Sequence, residues 1–212
     1  MKSLEFRSSS FLLRNDFPVT QDYNMPILNR ADLPPVDSML SYHDTRMDDA
    51  RAQQHAYLIH FFKNDPCFEF LYDKPYGKKG DMRIKKLAQY TAVCTPDFSL
   101  YPEMPLPIQQ MQVFKSRWCG AHWESMGLLV IPTVTWASSS SFAFCFNGLP
   151  IHSVVAISTL GCRAHKDSFM HGYDIMMEVL EPETIICYGD AFEEMEGNIL
   201  CFPYSAFRKK VK

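Results

Sequence analysis

The chain has 212 residues, of which 47% are hydrophobic and only 9 are glycine, so it can bury the core of one domain. Its formal net charge of -3 argues against a protein whose whole surface is built to hold nucleic acid. The odd number of cysteines, 7, and the lack of an apolar stretch of roughly 20 residues predict a cytoplasmic protein with reduced thiols and no membrane partner.

The first 46 residues are predicted to form an extended arm that wraps around the core. Prolines break any long helix at four positions of this stretch: Pro18, Pro26, Pro34 and Pro35. From Met47 to Phe62, apolar residues recur at helical spacing until the sequence NDP, which predicts a first helix packed on the domain. The chain is therefore divided into an arm at 1–46 and an α/β domain at 47–212.

The segment 72–86, YDKPYGKKGDMRIKK, is strongly basic, because it contains six lysines and arginines and only two aspartates. It is predicted to be a loop that leads into a short helix. Lys78, Lys79 and Arg83 are the candidate contacts for the phosphates of DNA or RNA, and Tyr76 is a group on which a base could stack. The alternative is an ordinary solvated surface.

From residue 91 onward, short apolar runs alternate with amphipathic segments of helical length. The runs are TAVCT, LLVIPTVTW, SVVAISTLG, TIICYG and NILCFPY. The two long helical segments between them are PIQQMQVFKSRWCGAHWESMG and KDSFMHGYDIMMEVLEP, and SSSSFAFCFNG can supply a shorter helix. This alternation predicts βαβ units in a single α/β domain with a mainly parallel sheet. Both a partial barrel and a doubly wound sheet fit the pattern.

Polar residues follow each of the predicted strands, where parallel sheets bind their ligands. In chain order they are Asp97, Ser99, Tyr101, Thr133, Thr135, Trp136, Ser158, Thr159, Cys162, Tyr188 and Asp190. We expect these groups to converge on one rim. Asp97 and Asp190 are the candidate catalytic carboxylates, and Asp97 is expected to act as a general base or as a polar anchor for the ligand. The ligand-binding candidates are Ser99, Tyr101, Thr133, Trp136, Ser158, Thr159 and Cys162. For both acids the structural alternative is a residue that caps a turn.

The segment from Cys162 to His171 does not predict a metal site. Zinc sites need three or four ligands in compact pairs, and CRAHKDSFMH lacks the second pair. Cys162 as a nucleophile would need a histidine nearby in space. In the preceding helical segment, Trp118 is predicted to lie in the core and Arg117 to form an outward salt bridge.

Several segments together resemble a known family. TPDFSLYPEMPLPIQ, RWCGAHW, VIPTVTW, SFAFCFNGLP, VAISTLGC and the final FPY occur in the same order in a family of phages, other mobile elements and bacterial genomes, the domain of unknown function DUF4417. The resemblance implies a mobile-element context, and the labels of some members suggest a link to replication. It implies no catalytic residues. Where acidic residues precede the SF segment in the family, this chain has the serines 138–141.

Three functions follow as hypotheses. The first is an enzyme or binding protein with a rim pocket for a small molecule, such as a nucleotide-like or phosphate-bearing one. The second is a non-catalytic module that binds a host or phage protein through its proline-rich arm and surface aromatics. The third is a nucleic-acid accessory factor that uses the basic segment. The residues indicate no particular cofactor, and they leave open whether the protein catalyses a reaction.

Overall fold

The fold is built on two parallel β-sheets that follow one another along the chain. The structure is a computed structural model, which describes residue 14 and residues 16–204. The strands are β1 (Ser38–Ser41), β2 (Tyr57–His60), β3 (Ala92–Cys94), β4 (Val130–Ile131), β5 (Val154–Ser158), β6 (Thr184–Tyr188) and β7 (Ile199–Phe202). The first sheet has the order β1-β2-β3-β4 and the second the order β5-β6-β7, and every pair is parallel.

Helices connect most of these strands. They are α1 (Phe70–Asp73), α2 (Gly77–Leu87), α3 (Leu106–Ser125), α4 (Phe142–Cys145) and α5 (Lys166–Leu180), with short 3₁₀ turns between them. The predicted single α/β domain with a mainly parallel sheet is therefore confirmed. In the described part of the chain, no helix has the length and apolar character needed to cross a bilayer.

The two sheets form one curved surface of the barrel-like kind. A bridge between Thr133 and Ala156 joins them, and the backbone N–H of Ala156 donates to the Pro132 carbonyl at 2.8 Å. The rings of His60 on β2 and Tyr188 on β6 are only 4.3 Å apart. Four strand spacings of about 4.8 Å would separate these strands by about 19 Å in a flat sheet. The sheet must therefore curl so that side chains on the inner face of β2 contact those on the inner face of β6. The strands also follow one another in chain order, without the reversal of strand order that defines a doubly wound fold.

Alternate strand residues fill the inside and the outside of this curved sheet, as the two-residue period of a strand requires. The inner cluster contains Met39, Leu58, Ala92, Cys94, Ile131, Val154, Ala156 and Ile186. Their neighbours along the strands face outward into two clusters under the helices. One includes Ile59, Val93 and Val130, and the other includes Val155, Ile157 and Ile185.

The N-terminal arm covers the outer side of α3. All residues from 116 to 123 are buried, two full turns of the helix, which requires a layer outside it. That layer includes Phe17, whose ring packs near Trp118, and Asn29, which donates from its backbone and side-chain nitrogens to Glu124 at 3.1 and 2.7 Å. The Leu28 N–H also donates to Gly148. The arm thus wraps around the core.

Two N-terminal features differ from the sequence analysis. The helix predicted from Met47 to Phe62 is wrong, because this stretch forms a short 3₁₀ turn at Ala50–Gln53 and then strand β2. All four residues of β2 are buried, and a strand buried on both faces has a continuous apolar run that imitates a helical pattern. Strand β1 lies within the segment 1–46 that was assigned to the arm.

Candidate functional site

Asp97 lies at the carboxyl end of the barrel-like sheet, three residues beyond β3, and is half-buried. Its Oδ1 accepts a hydrogen bond of 2.5 Å from the hydroxyl of Thr135, which follows the neighbouring strand β4. Adjacent parallel strands end at the same edge, so their C-terminal loops meet there. The fold thus brings these two rim residues into direct contact.

The environment of Asp97 favours its protonated form. Burial raises the pKa of Asp97 from 3.8 to about 6, the Thr135 hydroxyl acts in the opposite direction, and the nearby Asp65 carboxylate raises it further. Asp65 itself accepts hydrogen bonds from the backbone and hydroxyl of Ser99 and from Gln112. Asp97 is therefore a carboxyl group that gains and loses a proton close to neutral pH, which suits a general acid or base.

Two thiols lie within the electrostatic reach of Asp97. Burial raises the pKa of Cys162 to about 11, and the Asp97 charge adds to the effect. Burial and the same carboxylate also raise the pKa of Cys94, which belongs to the inner cluster. Both cysteines are kept as thiols, so Cys162 is suited to contact a ligand and is not activated as a nucleophile.

An aromatic group lines the interior beside this edge. His60, the last residue of β2, is buried against Phe62 and Tyr188, and its Nδ1 accepts a hydrogen bond from the Phe62 N–H at 3.3 Å. Burial lowers the pKa of His60 to about 3, so the imidazole is neutral. The Tyr204 ring packs against Tyr188 at 5.1 Å. Sequence reasoning did not select His60, because this stretch was predicted as a helix and the end of β2 was not recognised.

Several of the predicted ligand-binding hydroxyls are engaged within the protein. Thr133 donates to the Thr95 carbonyl at 2.7 Å, and Ser158 to the Tyr188 carbonyl at 3.2 Å. Thr159 donates to the Asp190 carbonyl at 3.0 Å and lies 2.8 Å from the Tyr204 hydroxyl. These contacts tie the loops after neighbouring strands together.

The remaining predicted rim residues lie around the edge in different ways. Asp190 is exposed, and its carboxylate lies 3.3 Å from Arg163. Tyr101 is 55% exposed on the loop before α3. Trp136 is half-buried and packs against Phe169, with ring centroids 5.1 Å apart. The hydrogen-bond partner of Asp97 is thus Thr135, and Asp190 is paired with Arg163.

An open depression of about 450 Å³ lies at the start of α5, next to Cys162 in sequence. Its lining is Arg163, Ala164, His165, Lys166, Asp167 and Ser168. No side chain caps this end of the helix, and the positive end of the helix dipole favours an anion. Arg163 and Lys166 already form ion pairs with Asp190 and Glu194.

The basic segment begins at the end of α1, continues as a short loop and then forms helix α2, so the predicted loop leading into a short helix is confirmed. Lys78 and Lys79 are exposed in its first turn. Arg83 is half-buried, donates to the carbonyls of Phe70 and Lys74, and lies over the Phe70 ring. Arg83 therefore serves the local structure, and Lys78 and Lys79 stay accessible.

Arg117 is a buried cation that the sequence analysis misplaced. It is 2% exposed and donates to the carbonyls of Thr133, Cys145 and Asn147 instead of forming an outward salt bridge. Burial lowers its pKa to about 10. It lines a cavity of about 10 Å³ together with Thr135, and it holds the loop after α4 against β4.

Among the described residues, no group of three or more histidine, cysteine or acidic side chains is arranged to hold a metal ion.

Comparison with known proteins places the chain in a family. The model of the domain of unknown function DUF4417 matches residues 17–205. The chain belongs to this family. It is 36% identical over 180 residues to the Gene 1 protein of Mycobacterium phage L5, a match that covers 84% of this chain and 76% of that protein.

A second DUF4417 relative is the Gene 1 protein of Mycobacterium phage D29, which is 33% identical over 180 residues. This match covers 84% of the chain but 64% of the relative, so the chain spans just under two thirds of that protein. No solved structure matches the chain significantly. The expected membership in a phage-associated family of unknown function is confirmed.

Proposed function

We propose that the carboxyl-end edge of the sheet is a binding or active site in which Asp97 exchanges a proton or a hydrogen bond with a small polar ligand. The observation that supports this most is the half-buried Asp97 carboxyl group, with its pKa near 6 and the Thr135 hydroxyl as its hydrogen-bond donor. A carboxylate held in an unfavourable environment at the ligand-binding end of a parallel sheet is typical of a functional group.

The ligand class that fits best carries a phosphate or similar anionic group. The start of α5 is close to Asp97, because Cys162 lies near the Asp97 carboxylate and directly precedes Arg163 in the chain. A phosphate at the uncapped helix start would meet backbone N–H groups, and Arg163 and Lys166 could turn toward it from their surface ion pairs. The rest of the ligand would then extend toward Asp97 and Thr135.

Native mass spectrometry of the purified protein, beside a denatured control, tests this proposal. We expect a retained small molecule in the wild type that is lost in Asp97→Asn, while thermal denaturation shows that the variant stays folded. Glu103→Gln is the matched control, because it removes an exposed carboxylate on the loop before α3 that has no part in the proposed site. If no small molecule is retained, a panel of nucleoside phosphates is titrated by calorimetry. Binding that is equal in the wild type and Asp97→Asn, or lacking for the whole panel, would refute the proposal.

A second candidate function, a module that binds a host or phage protein, is favoured by an exposed apolar surface. The loop before α3 and its first turns expose Tyr101 by 55%, Leu106 by 44%, Ile108 by 51% and Met111 by 42%. Prolines stiffen this stretch at positions 102, 105 and 107. Clustered exposed apolar side chains are typical of interaction surfaces.

Serine substitutions at Leu106 and Ile108 test the second candidate. We expect them to abolish co-purification of a defined protein at fixed stoichiometry, without a change in melting temperature. Ile151→Ser is the control, since Ile151 is 58% exposed elsewhere on the surface. Equal recovery of that protein with all variants would exclude this surface as its binding site.

A further inference from the structure

Two cysteines face each other across the last two strands. Cys187 on β6 and Cys201 on β7 are direct partners in the parallel register. Partners in register project their side chains from the same face of a sheet, and adjacent strands lie about 4.8 Å apart. This spacing falls within the range of about 4.4–6.8 Å between Cα atoms that a disulfide requires. Both cysteines are free thiols in the structure.

The surroundings of the pair confirm that the two thiols share one face. Burial raises the pKa of Cys187 to about 12, and the neighbouring Cys201 adds to this effect. Burial also raises the pKa of Tyr173 on α5, to which both cysteines contribute. Cys187 belongs to the cluster under α5, and Ile199, which projects from the same face of β7 as Cys201, packs against that cluster. Cys187 is buried and Cys201 is exposed, so one thiol is open to an external reagent and the other is protected.

We propose that Cys187 and Cys201 form a redox-active dithiol that is oxidised to an intramolecular disulfide by a small disulfide such as oxidised glutathione. The Cys201 thiolate attacks one sulfur of the reagent, forms a mixed disulfide and releases one glutathione thiolate. The Cys187 thiolate then attacks the Cys201 sulfur and releases the second glutathione. The protein loses two electrons and two protons, and the reagent is reduced to two thiols.

The disulfide would link the edge strand β7 covalently to β6. Strand β7 is an edge strand that pairs only with β6 among the described residues. It leads directly to Tyr204, whose hydroxyl lies 2.8 Å from Thr159 at the carboxyl-end edge. Oxidation would therefore hold β7 and Tyr204 against the rest of the sheet. The raised pKa of Cys187 makes the second step slow near neutral pH, because little thiolate is present.

The test uses the full chain, incubated with oxidised glutathione, denatured without reductant and alkylated with iodoacetamide. Of the seven cysteines of the chain, we expect Cys187 and Cys201 to escape alkylation and to appear in a linked pair of peptides, while the other exposed thiol, Cys67, forms only a mixed disulfide with glutathione. The reaction should accelerate as the pH is raised. Reduction with dithiothreitol should restore all seven alkylation sites.

Single variants separate the two steps. In Cys187→Ser, Cys201 should stop as a stable mixed disulfide with glutathione, whereas Cys67→Ser, which removes another exposed thiol, should still lose two alkylation sites. The proposal is overturned if the linked peptides contain a different pair of cysteines, or if Cys187 stays fully alkylated in the wild type. The wild-type peptide map decides this even where a variant fails to fold.

Discussion

Replacement of Asp97 by asparagine is expected to stabilise the protein while it removes the proposed functional group. Asparagine keeps an oxygen that can accept the hydrogen bond from Thr135 but carries no charge at any pH. The ionised carboxylate in the wild type lies in an environment that disfavours it. Functional groups held in such environments commonly lower stability.

The magnitude follows from the difference between the folded and unfolded pKa values of Asp97. The folded value of about 6 exceeds the ordinary value of 3.8, and about 2 pKa units correspond to about 3 kcal/mol. Because the folded pKa is raised, the folded state binds the proton more tightly. This contribution to stability is fully present below pH 3.8 and is lost as the pH rises through 6. About 2 kcal/mol of the loss falls between pH 4 and pH 8.

Urea denaturation of the wild type and Asp97→Asn from pH 4 to pH 8 measures this effect. The stability of the variant minus that of the wild type should increase by about 2 kcal/mol over this range and level off above pH 7. Other titrating groups contribute to both proteins and cancel in the difference. For the control Asp190→Asn the difference should stay below about 1 kcal/mol, since exposed ion pairs contribute little. Parallel stability curves for the wild type and Asp97→Asn would refute the reasoning.

Three further substitutions and one control variant test the packing around the site, each by urea denaturation. The folded pKa of His60 is near 3, so the neutral imidazole stabilises the protein above pH 6.5 and this stabilisation is lost as the pH falls. His60→Phe should therefore reduce the loss of stability between pH 6.5 and pH 4.5 by about 2 kcal/mol. An equal loss of stability in the wild type and the variant over this range would contradict this. Gly172→Ala should cost about 1–3 kcal/mol despite the helix propensity of alanine, because a Cβ there would lie 2.2 Å from Nε1 of Trp136. Arg117→Met should cost about 3 kcal/mol, since three buried carbonyls lose their donor, whereas Arg163→Met should cost less than about 1 kcal/mol.

The C-terminal half of the fold could be predicted because its elements have separate signals. The runs around Val93, Val155 and Ile186 all form strands of the parallel sheet, and α5 ends at Leu180, directly before a left-handed Glu181 and a proline. The choice between barrel and doubly wound sheet could not be made from the sequence, since both share the same βα alternation. It required a contact between distant strands, that of His60 with Tyr188.

The details of the site were less predictable, because hydrogen-bond partners depend on distances that a sequence does not contain. Thr159 and Asp190 both follow predicted strands, but Thr159 donates to the Asp190 backbone and the Asp190 side chain pairs with Arg163. Arg117 lies in the stretch 116–123 of α3, in which every residue is buried, and the proline-rich arm that covers the outer side of this stretch gave no sign of that contact. Asp97 was selected by its position alone, and its raised pKa depends mainly on its burial in the fold and also on Asp65, 32 positions earlier in the chain.

The arm that crosses α3 also sets the order in which the chain can complete its structure. Asn29 contacts a residue 95 positions later, Ala31 one 122 positions later and Arg30 one 153 positions later. During synthesis the arm is made before α3, and Glu183, which pairs with Arg30, is made after both. The arm can therefore complete its contacts only after Glu183 has been made. Until then, the outer side of α3 is left exposed on the growing chain.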